Sequence, residues 1–412
     1  MTRSLTALDH VRQRSPIVMY STTPWNGVWR PRREYAEHLE KLGWPVIYTT
    51  GPMSIWDRGS DEWRRANWLG RTEKNKGLTI DHAGRVPFRW PGHALDGPVL
   101  TWHARMLRSS LCLGDAHDLI AMVFDPIFLP HVARLRPRYI VYFQYEALAR
   151  LPGSSWKFQE FENELVQRSD LIVSLTPQMA AVLPSSGAGR ARILPSAVRI
   201  ESFLDAISQP CPADLASIPH PRIGYVGSIT IALDFQLILD VARAQPNWQF
   251  VFIGPIETDG DRQTLRDPIA NEKWQILRAL PNIHYLPPKL SADVPSYMLH
   301  MDVNALWYRT TGDGWWLLGS PIKLYENLAV GKPVVGTSLP AVCQFTSVVE
   351  LADTKNEWLA AIARALRDDT DGRSRERRIA VAQDNSWSKR TRLLESWLLD
   401  MIRCKGGSKD KL

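Results

Sequence analysis

The hydrophobic positions of the chain form short apolar runs that alternate with amphipathic stretches. Residues 16–21 and 45–49 are apolar runs of strand length, and between them Tyr35, Leu39 and Leu42 recur at helical spacing. A strand, a helix and a second strand in this order predict a parallel sheet covered by helices.

This alternation continues to about residue 200 and begins again after a proline-rich stretch at 205–221. Further strands are predicted at 118–124, 138–143, 170–176, 192–196, 222–226, 249–253, 283–286, 302–308 and 332–336. Residues 52–97 lack clean periodicity and are predicted to be loops and short elements. The pattern predicts two α/β domains, 1–200 and 201–385, followed by an amphipathic helix within 386–412.

Composition narrows the class of protein. Of 412 residues, 44% are hydrophobic and 23% charged, as in soluble globular proteins. No apolar run approaches the length of a membrane span, and the four cysteines show no metal-ligand spacing. We therefore expect a cytoplasmic protein with reduced cysteines.

The net charge of +7 is unevenly distributed. Residues 1–200 carry 26 Lys and Arg against 18 Asp and Glu, whereas residues 201–372 carry 13 against 20. The basic first domain predicts an affinity for an anionic membrane surface, at the inner face of the membrane, or for an anionic acceptor. No nucleic-acid motif accompanies the charge, so nucleic acid is not an expected partner. Core packing explains most of the 17 tryptophans, with membrane-interface anchoring as the alternative for some.

The most informative stretch is 320–336, Ser-Pro-Ile-Lys-Leu-Tyr-Glu-Asn-Leu-Ala-Val-Gly-Lys-Pro-Val-Val-Gly. Ser320 is predicted to cap a helix that ends near Gly331. Lys323 then lies in the first turn, where free backbone N–H groups and a cation favour a diphosphate. Glu326, one turn further, is placed to accept hydrogen bonds from a ribose diol. The alternative is an ordinary solvated ion pair on a helix surface.

Other candidate residues follow the carboxyl ends of predicted strands, where parallel sheets place their ligands. Ligand-binding candidates of the second domain are Gly227, Ser228, Tyr285, Leu286, Arg309, Ser320, Ile322, Lys323 and Glu326. Ligand-binding candidates of the first domain are Trp25, Gly27, Arg30 and Asp125. The sequence Asp259-Gly260-Asp261 reads as a solvated turn, so no metal site is expected.

The run Ser-Pro-x-Lys-x-x-Glu at 320–326 resembles the donor-site helix of GT-B glycosyltransferases. This resemblance implies two Rossmann-like domains with parallel sheets facing an interdomain cleft, and a final helix that crosses back to the first domain. It implies a nucleotide-diphospho-sugar as co-substrate and no cofactor. It also implies that the candidates of the second domain bind this donor and that those of the first domain bind the acceptor. Leu318 stands where retaining family-4 enzymes have a further glutamate, so the E-x7-E pair is incomplete.

A narrower resemblance is to membrane-associated glucuronosyltransferases of the xanthan-synthesis type. It rests on the Arg-Pro-Arg-Arg run at 30–33 and on an acidic residue after the strand at 138–143. That residue is Glu146, where the group has Asp, and the resemblance implies that Glu146 is the general base. The alternatives are a structural ion pair or an acceptor contact.

These resemblances imply a glycosyltransferase that moves a hexosyl or glycuronosyl unit, without a metal, to a hydroxyl of a lipid-linked or oligosaccharide acceptor. Polysaccharide or glycolipid synthesis is the expected setting. Two alternatives use the same frame: a nucleotide-sugar epimerase or hydrolase, and an inactive sugar-binding or assembly module.

Overall fold

The computed structural model describes residues 14–25, 31–111, 118–147, 156–257, 265, 267–312, 314–368 and 372–406. The chain divides into two compact units. The first contains Met1–Ser174, Ala180–Leu194 and Thr391–Leu412, and the second contains Leu175–Met179 and Pro195–Arg390.

The first unit is built on an eight-stranded sheet. Its strands are β1 (Ile17–Tyr20), β2 (Val46–Thr49), β3 (Arg71–Asn75), β4 (Leu78–His82), β5 (Ile120–Val123), β6 (Tyr139–Gln144), β7 (Leu171–Ser174) and β8 (Ala191–Ile193). Their order is β3-β4-β2-β1-β5-β6-β7-β8, and all neighbours are parallel except β3 and β4. The predicted strands are confirmed, whereas the sequence analysis missed β3 and β4 because β3 is polar and exposed throughout.

The helices within residues 31–188 are α1 (Pro31–Lys41), α2 (Asp61–Arg65), α3 (Asp96–Ser110), α4 (Leu129–Leu135), α5 (Trp156–Arg168), α6 (Pro177–Ala181) and α7 (Ser185–Ala188). Gly43 ends the α1 turn at a φ of +86°, a conformation that glycine adopts without strain.

The second unit has a six-stranded parallel sheet. Its strands are β9 (Arg222–Val226), β10 (Gln249–Ile253), β11 (Ile283–Leu286), β12 (Val303–Leu306), β13 (Val334–Gly336) and β14 (Glu350–Leu351), in the order β11-β10-β9-β12-β13-β14. The apolar runs at 222–226, 249–253 and 283–286 are strands as predicted.

The helices of this part of the chain are α8 (Ile200–Leu204), α9 (Ala213–Ala216), α10 (Phe235–Ala244), α11 (Pro268–Arg278), α12 (Val294–Leu299), α13 (Ile322–Ala329), α14 (Lys355–Asp368), α15 (Gly372–Asp384) and α16 (Trp387–Gly406). Its core includes the buried rings of Trp307 and Trp358, which stack with centroids 3.5 Å apart.

The final helix, α16, continues from the second unit into residues that group with the first. Within the first unit, Glu395 of this helix accepts a hydrogen bond from Trp44 Nε1 at 3.0 Å, and Lys405 pairs with Asp170 at 2.7 Å. Its amphipathic pattern is therefore used for packing. Among the described residues, none of the helices combines the length and the apolar character that crossing a bilayer needs.

Candidate active site

Lys323 lies in the first turn of α13, as the sequence predicts. Its side chain runs along the backbone of Gly227, in the loop after β9, and its Nζ lies 5.8 Å from the ring centroid of Tyr225. A Cβ atom on Gly227 would lie only 1.7 Å from Lys323 Cε. The glycine therefore makes room for the lysine side chain at the carboxyl end of the sheet.

The loops that follow β9 and β10 pack directly against each other. The Gly227 N–H donates to the Ile253 carbonyl at 2.7 Å, and a Cβ atom on Gly254 would lie 2.3 Å from the Gly227 oxygen. Gly227 and Gly254 have positive φ angles, +149° and +143°, which favour glycine. Ser228 is exposed beside them, and its carbonyl accepts from Tyr225 Oη at 2.9 Å.

Ser320 has a different role from the predicted helix cap, and that prediction is wrong. Pro321 occupies the cap position of α13, without a side-chain hydrogen bond. The Ser320 hydroxyl instead accepts from the Ser196 N–H at 3.2 Å, and Ser196 Oγ donates to the Ser320 carbonyl at 2.8 Å. The buried serine therefore ties the segment before α13 to the Ser196 backbone, and no side chain occupies the N–H groups of the first turn as a cap.

Glu326 lies one turn after Lys323 and is partly buried. Burial raises the pKa of its carboxyl group, and the nearby Lys323 ammonium offsets part of that increase. A carboxylate that has lost water in this way gains from hydrogen-bond donors that a ligand supplies.

The raised pKa makes Glu326 a source of pH-dependent stability. A group whose pKa is higher in the folded state binds its proton more tightly there, so its contribution is most favourable in acid and declines as pH rises through the folded pKa. Glu326→Gln is expected to increase the free energy of unfolding at neutral pH relative to the wild type. The difference should vanish in acid, and urea unfolding across pH measures it.

Glu357 is a control of opposite sign. The N–H groups of Asp353 and Thr354 donate to its Oε2 at 2.9 and 3.0 Å, and these bonds lower the pKa of Glu357. Glu357→Gln should therefore lower the free energy of unfolding at neutral pH. If Glu326→Gln lowers the free energy of unfolding in the same way as Glu357→Gln, the assignment of Glu326 as a carboxyl group destabilised by burial is wrong.

The remaining donor candidates occupy strand ends of the second unit. Tyr285 Oη donates to the Gly254 carbonyl at 3.1 Å, and the carbonyl of Leu286 accepts from the Gly254 N–H at 3.3 Å. Arg309 is exposed, and its guanidinium lies 5.6 Å from the ring centroid of Trp316. Ile322 is the first residue of α13. Gly254 thereby links the β9 and β11 loops, and Lys323 reaches the first of them.

In the first unit, Asp125 follows β5 and is buried. Its Oδ2 accepts from Thr22 Oγ1 at 2.9 Å and lies 3.7 Å from Arg32 Nη1. Arg32 also donates to Thr23 Oγ1 at 3.1 Å. Asp125 thus holds the loop after β1 against α1.

Glu146 follows β6 and is exposed, with its Oε1 3.7 Å from Arg32 Nη2. Arg32 is 4% exposed, and its guanidinium lies over the rings of Phe124 and Tyr145. Among the described residues, its Nε and Nη2 have no hydrogen-bond partner. The buried cation therefore lies between one buried and one accessible carboxylate.

Trp25 lies in the loop after β1. Its ring packs edge-on against Tyr48, with the ring centroids 5.1 Å apart, and the Arg33 guanidinium lies 4.7 Å from the Trp25 ring centroid. The predicted sites Gly27 and Arg30, and the turn at 259–261, lie outside the described residues. Within the part of the chain that is described, no group of three His, Cys, Asp or Glu side chains is arranged to hold a metal ion.

Comparison with known proteins finds a match within the second unit. Residues 220–368 match the family model described as glycosyl transferases group 1. This segment contains the Gly227 loop and the Lys323 helix. It is therefore similar to the group 1 glycosyltransferases.

Comparison with individual proteins covers more of the chain than residues 220–368. A Bacillus subtilis protein, whose name assigns it to teichuronic acid biosynthesis as a glycosyltransferase, is 28% identical over 234 residues, 55% of this chain. The match spans 56% of that relative. Sucrose-phosphate synthase from Thermosynechococcus elongatus has a similar structure, with a TM-score of 0.66 and 15% identity over 95% of this chain and 100% of that one.

A second similar structure is the UDP-forming α,α-trehalose-phosphate synthase from Burkholderia xenovorans in complex with glucose-6-phosphate. The TM-score is 0.61 at 14% identity, over 94% of this chain and 99% of that one. Both are GT-B proteins, and the predicted GT-B fold is confirmed. The xanthan-type detail of the prediction stays a prediction.

Sequence reasoning missed the structural roles of three residues, two in the second unit and one in the first. Tyr225 underlies Lys323, and Gly254 supports the Gly227 loop. Arg32 joins the carboxylates of the first unit. A signal for Arg32 was present, because a cation in the first turn of a helix opposes the helix dipole and needs a compensating anion.

Proposed function

We propose that this protein transfers a sugar from a nucleotide-diphospho-sugar to a hydroxyl group of an acceptor. The observation that carries the proposal is the placement of Lys323 at the start of α13, against Gly227, within the matched group 1 domain. A cation there, together with uncapped backbone N–H groups, suits a diphosphate.

Loss of the nucleoside diphosphate is the step that the second unit assists. As the bond between the sugar and the diphosphate breaks, negative charge grows on the leaving phosphate oxygen. Lys323 and the N–H groups of α13 offset that charge, and Arg309 adds a second cation. We propose that these groups replace a metal ion. Glu326 accepts hydrogen bonds from the ribose hydroxyls.

Activation of the acceptor is assigned to the first unit. Glu146 accepts the proton of the attacking hydroxyl, because its carboxylate is accessible. Arg32 Nη2 lies 3.7 Å from that carboxylate and limits its rotation. Asp125 shares the cation and is held by Thr22, so its part is to position Arg32 and the loop that carries Trp25.

The relatives support a range of substrates. The UDP-forming trehalose-phosphate synthase makes uridine the first base to test, and the teichuronic acid relative favours polysaccharide synthesis with a hexosyl or glycuronosyl donor. We propose a lipid-linked or oligosaccharide acceptor, and a protein located in the cytoplasm at the inner face of the membrane.

Donor turnover is the direct test. UDP-glucose and UDP-glucuronic acid are incubated with the protein, with and without a membrane lipid extract, and both UDP and the sugar product are analysed. UDP release that depends on the extract, with sugar attached to lipid, supports transfer. Release of free sugar alone, or an epimerised donor, contradicts it.

A substitution at Gly227 tests the site without removing a charged group. Gly227→Ala places a methyl group on Lys323 Cε and requires a left-handed φ from alanine. We expect the affinity for UDP to fall at least about tenfold and the stability by about 1–3 kcal/mol. Calorimetric titration and urea unfolding measure the two effects.

Gly372→Ala is the matched control. Gly372 is the first residue of α15 in the same unit, and a Cβ there meets nothing within 4 Å. Its UDP affinity should equal that of the wild type. Equal UDP affinity in Gly227→Ala would contradict the placement of the diphosphate beside Lys323.

A further inference from the structure

The exposed apolar side chains of this chain are concentrated in one segment of the first unit. Of the fifteen large hydrophobic residues that are exposed in the described chain, eight fall between residues 56 and 102. They are Trp56, Trp68, Leu69, Val86, Phe88, Trp90, Leu95 and Trp102. Trp56 and Trp68 are more than 70% exposed, which is unusual for the largest apolar side chain.

Backbone hydrogen bonds bring most of these residues together. The Val86 N–H donates to the Trp68 carbonyl at 2.8 Å, and the Ile55 N–H donates to the Arg89 carbonyl at 2.8 Å. Leu69 and Val86 also form an isolated parallel bridge. The segment 84–90 therefore lies between two others, 53–56 and 67–69.

Exposed apolar side chains alternate with inward-facing side chains along residues 84–90. A surface strand usually buries its apolar side chains instead. Val86, Phe88 and Trp90 are exposed, whereas Arg89 is buried and pairs with Asp96 through two hydrogen bonds of 3.1 and 2.9 Å. Arg85 is half-buried, and its Nε donates to the Trp63 carbonyl at 2.9 Å. A buried, paired arginine on the inner side and apolar groups on the outer side are not an arrangement for contact with water.

We call the exposed apolar side chains of these three segments the apolar ribbon: Trp56, Trp68, Leu69, Val86, Phe88 and Trp90. Basic residues accompany it in sequence. Exposed cations in residues 56–76 are Arg58, Arg64, Arg65, Arg71, Lys74 and Lys76, against exposed Asp61, Glu62 and Glu73. Tryptophan among arginine and lysine is typical of surfaces that lie at the interface between water and an anionic bilayer.

We propose that the apolar ribbon docks the protein on an anionic lipid bilayer. Tryptophan rings enter the headgroup region, and the neighbouring arginines and lysines contact lipid phosphates. The inference deepens the peripheral location of the proposed function by naming the surface, and the docking itself does not depend on sugar transfer. A bilayer fits better than a second copy, because the accompanying excess of cations would face itself in a symmetric dimer.

Co-sedimentation of the full chain with vesicles tests the proposal. Vesicles of phosphatidylcholine are compared with vesicles that also contain phosphatidylglycerol. We expect binding only to the anionic vesicles, weakened by salt. No binding to either, or equal binding to both, overturns the proposal.

Two pairs of variants assign the surface. Trp56→Ala, Trp68→Ala and Trp90→Ala combined should reduce vesicle binding about a hundredfold or more. The control combines Ile269→Ala, Ile276→Ala and Leu290→Ala, three exposed apolar residues of the second unit.

Arg64→Gln with Arg65→Gln should reduce vesicle binding about tenfold. The control pair, Arg243→Gln with Arg367→Gln, changes two exposed arginines of the second unit and should not reduce it. Equal losses in test and control variants overturn the assignment.

Two further measurements separate this inference from its rivals. Light scattering reports self-association, and a dimer of the wild type that the ribbon variant abolishes, without vesicle binding, would assign the ribbon to a second copy. UDP titration reports the second unit. Normal UDP affinity with no vesicle binding overturns the docking alone, whereas vesicle binding without UDP affinity overturns the proposed donor site alone.

Discussion

Lys323→Ala is expected to reduce kcat about a hundredfold to a thousandfold, because it removes the cation that stabilises the departing diphosphate. The affinity for UDP should also fall, by at least about tenfold. Lys323→Arg keeps the charge but adds a larger planar group beside Gly227. Its kcat should therefore lie between the kcat of the wild type and that of Lys323→Ala. UDP release from the turned-over donor, with UDP titration, measures both quantities.

The control for Lys323 is Lys355→Ala. Lys355 is exposed at the first residue of α14, so it too is a lysine at a helix start in the second unit. Its loss should leave kcat unchanged. A wild-type kcat in Lys323→Ala would remove the central residue of the proposed mechanism, and an equal decline in both variants would indicate a general effect of charge.

Glu146→Gln is expected to reduce kcat about a hundredfold or more while the affinity for UDP stays unchanged. The amide has the shape of the carboxylate but does not take the proton of the acceptor. Since UDP is assigned to the second unit, only the chemical step should suffer. Glu146→Asp, which restores the residue of the xanthan-type group, should recover part of the activity.

Glu164 provides a control for Glu146. It is an exposed glutamate of α5 in the first unit, paired with Arg168 at 2.9 Å. Glu164→Gln should leave kcat unchanged. Full activity in Glu146→Gln would transfer the role of base to another group, and a parallel loss of UDP affinity would show that Glu146 acts on donor binding.

The contacts of Arg32 show how Glu146, the acidic residue after β6, depends on its neighbours. Asp125 and Glu146 follow adjacent strands, and one guanidinium reaches both at 3.7 Å. The buried position of this cation means that its desolvation must be offset by nearby anions. Asp125 is the buried partner of the guanidinium, whereas Glu146 is the exposed one and is accessible to an acceptor.

Several parts of the fold and of the donor half were predictable because their determinants are local. The strands at 222–226, 249–253 and 283–286 are short apolar runs bounded by polar or turn residues, and each is found at its predicted place. Lys323 could be assigned to the first turn of a helix for the same reason: Pro321 before it and Gly331 after it limit where a helix can run.

Other parts depended on partners far away in sequence. Ser320 has the chemistry of a helix cap, but Ser196 takes its hydroxyl. The hairpin of β3 and β4 was missed because its outer strand has no buried face to produce an alternating pattern. The apolar ribbon was not predicted because its three segments are separate in sequence and are joined by backbone hydrogen bonds that leave no mark on residue type.

Taken alone, the order of residues determined two α/β units, the strands that carry their sheets and the lysine at the start of α13. These features follow from spacing and propensity within a few turns of chain. Only the tertiary structure decided that Gly227 makes space for Lys323, that Arg32 lies near two carboxylates and that Val86, Phe88 and Trp90 face outward along 84–90. Each of these depends on which distant segment fills the neighbouring space, and that is settled by packing and hydrogen bonding across the fold.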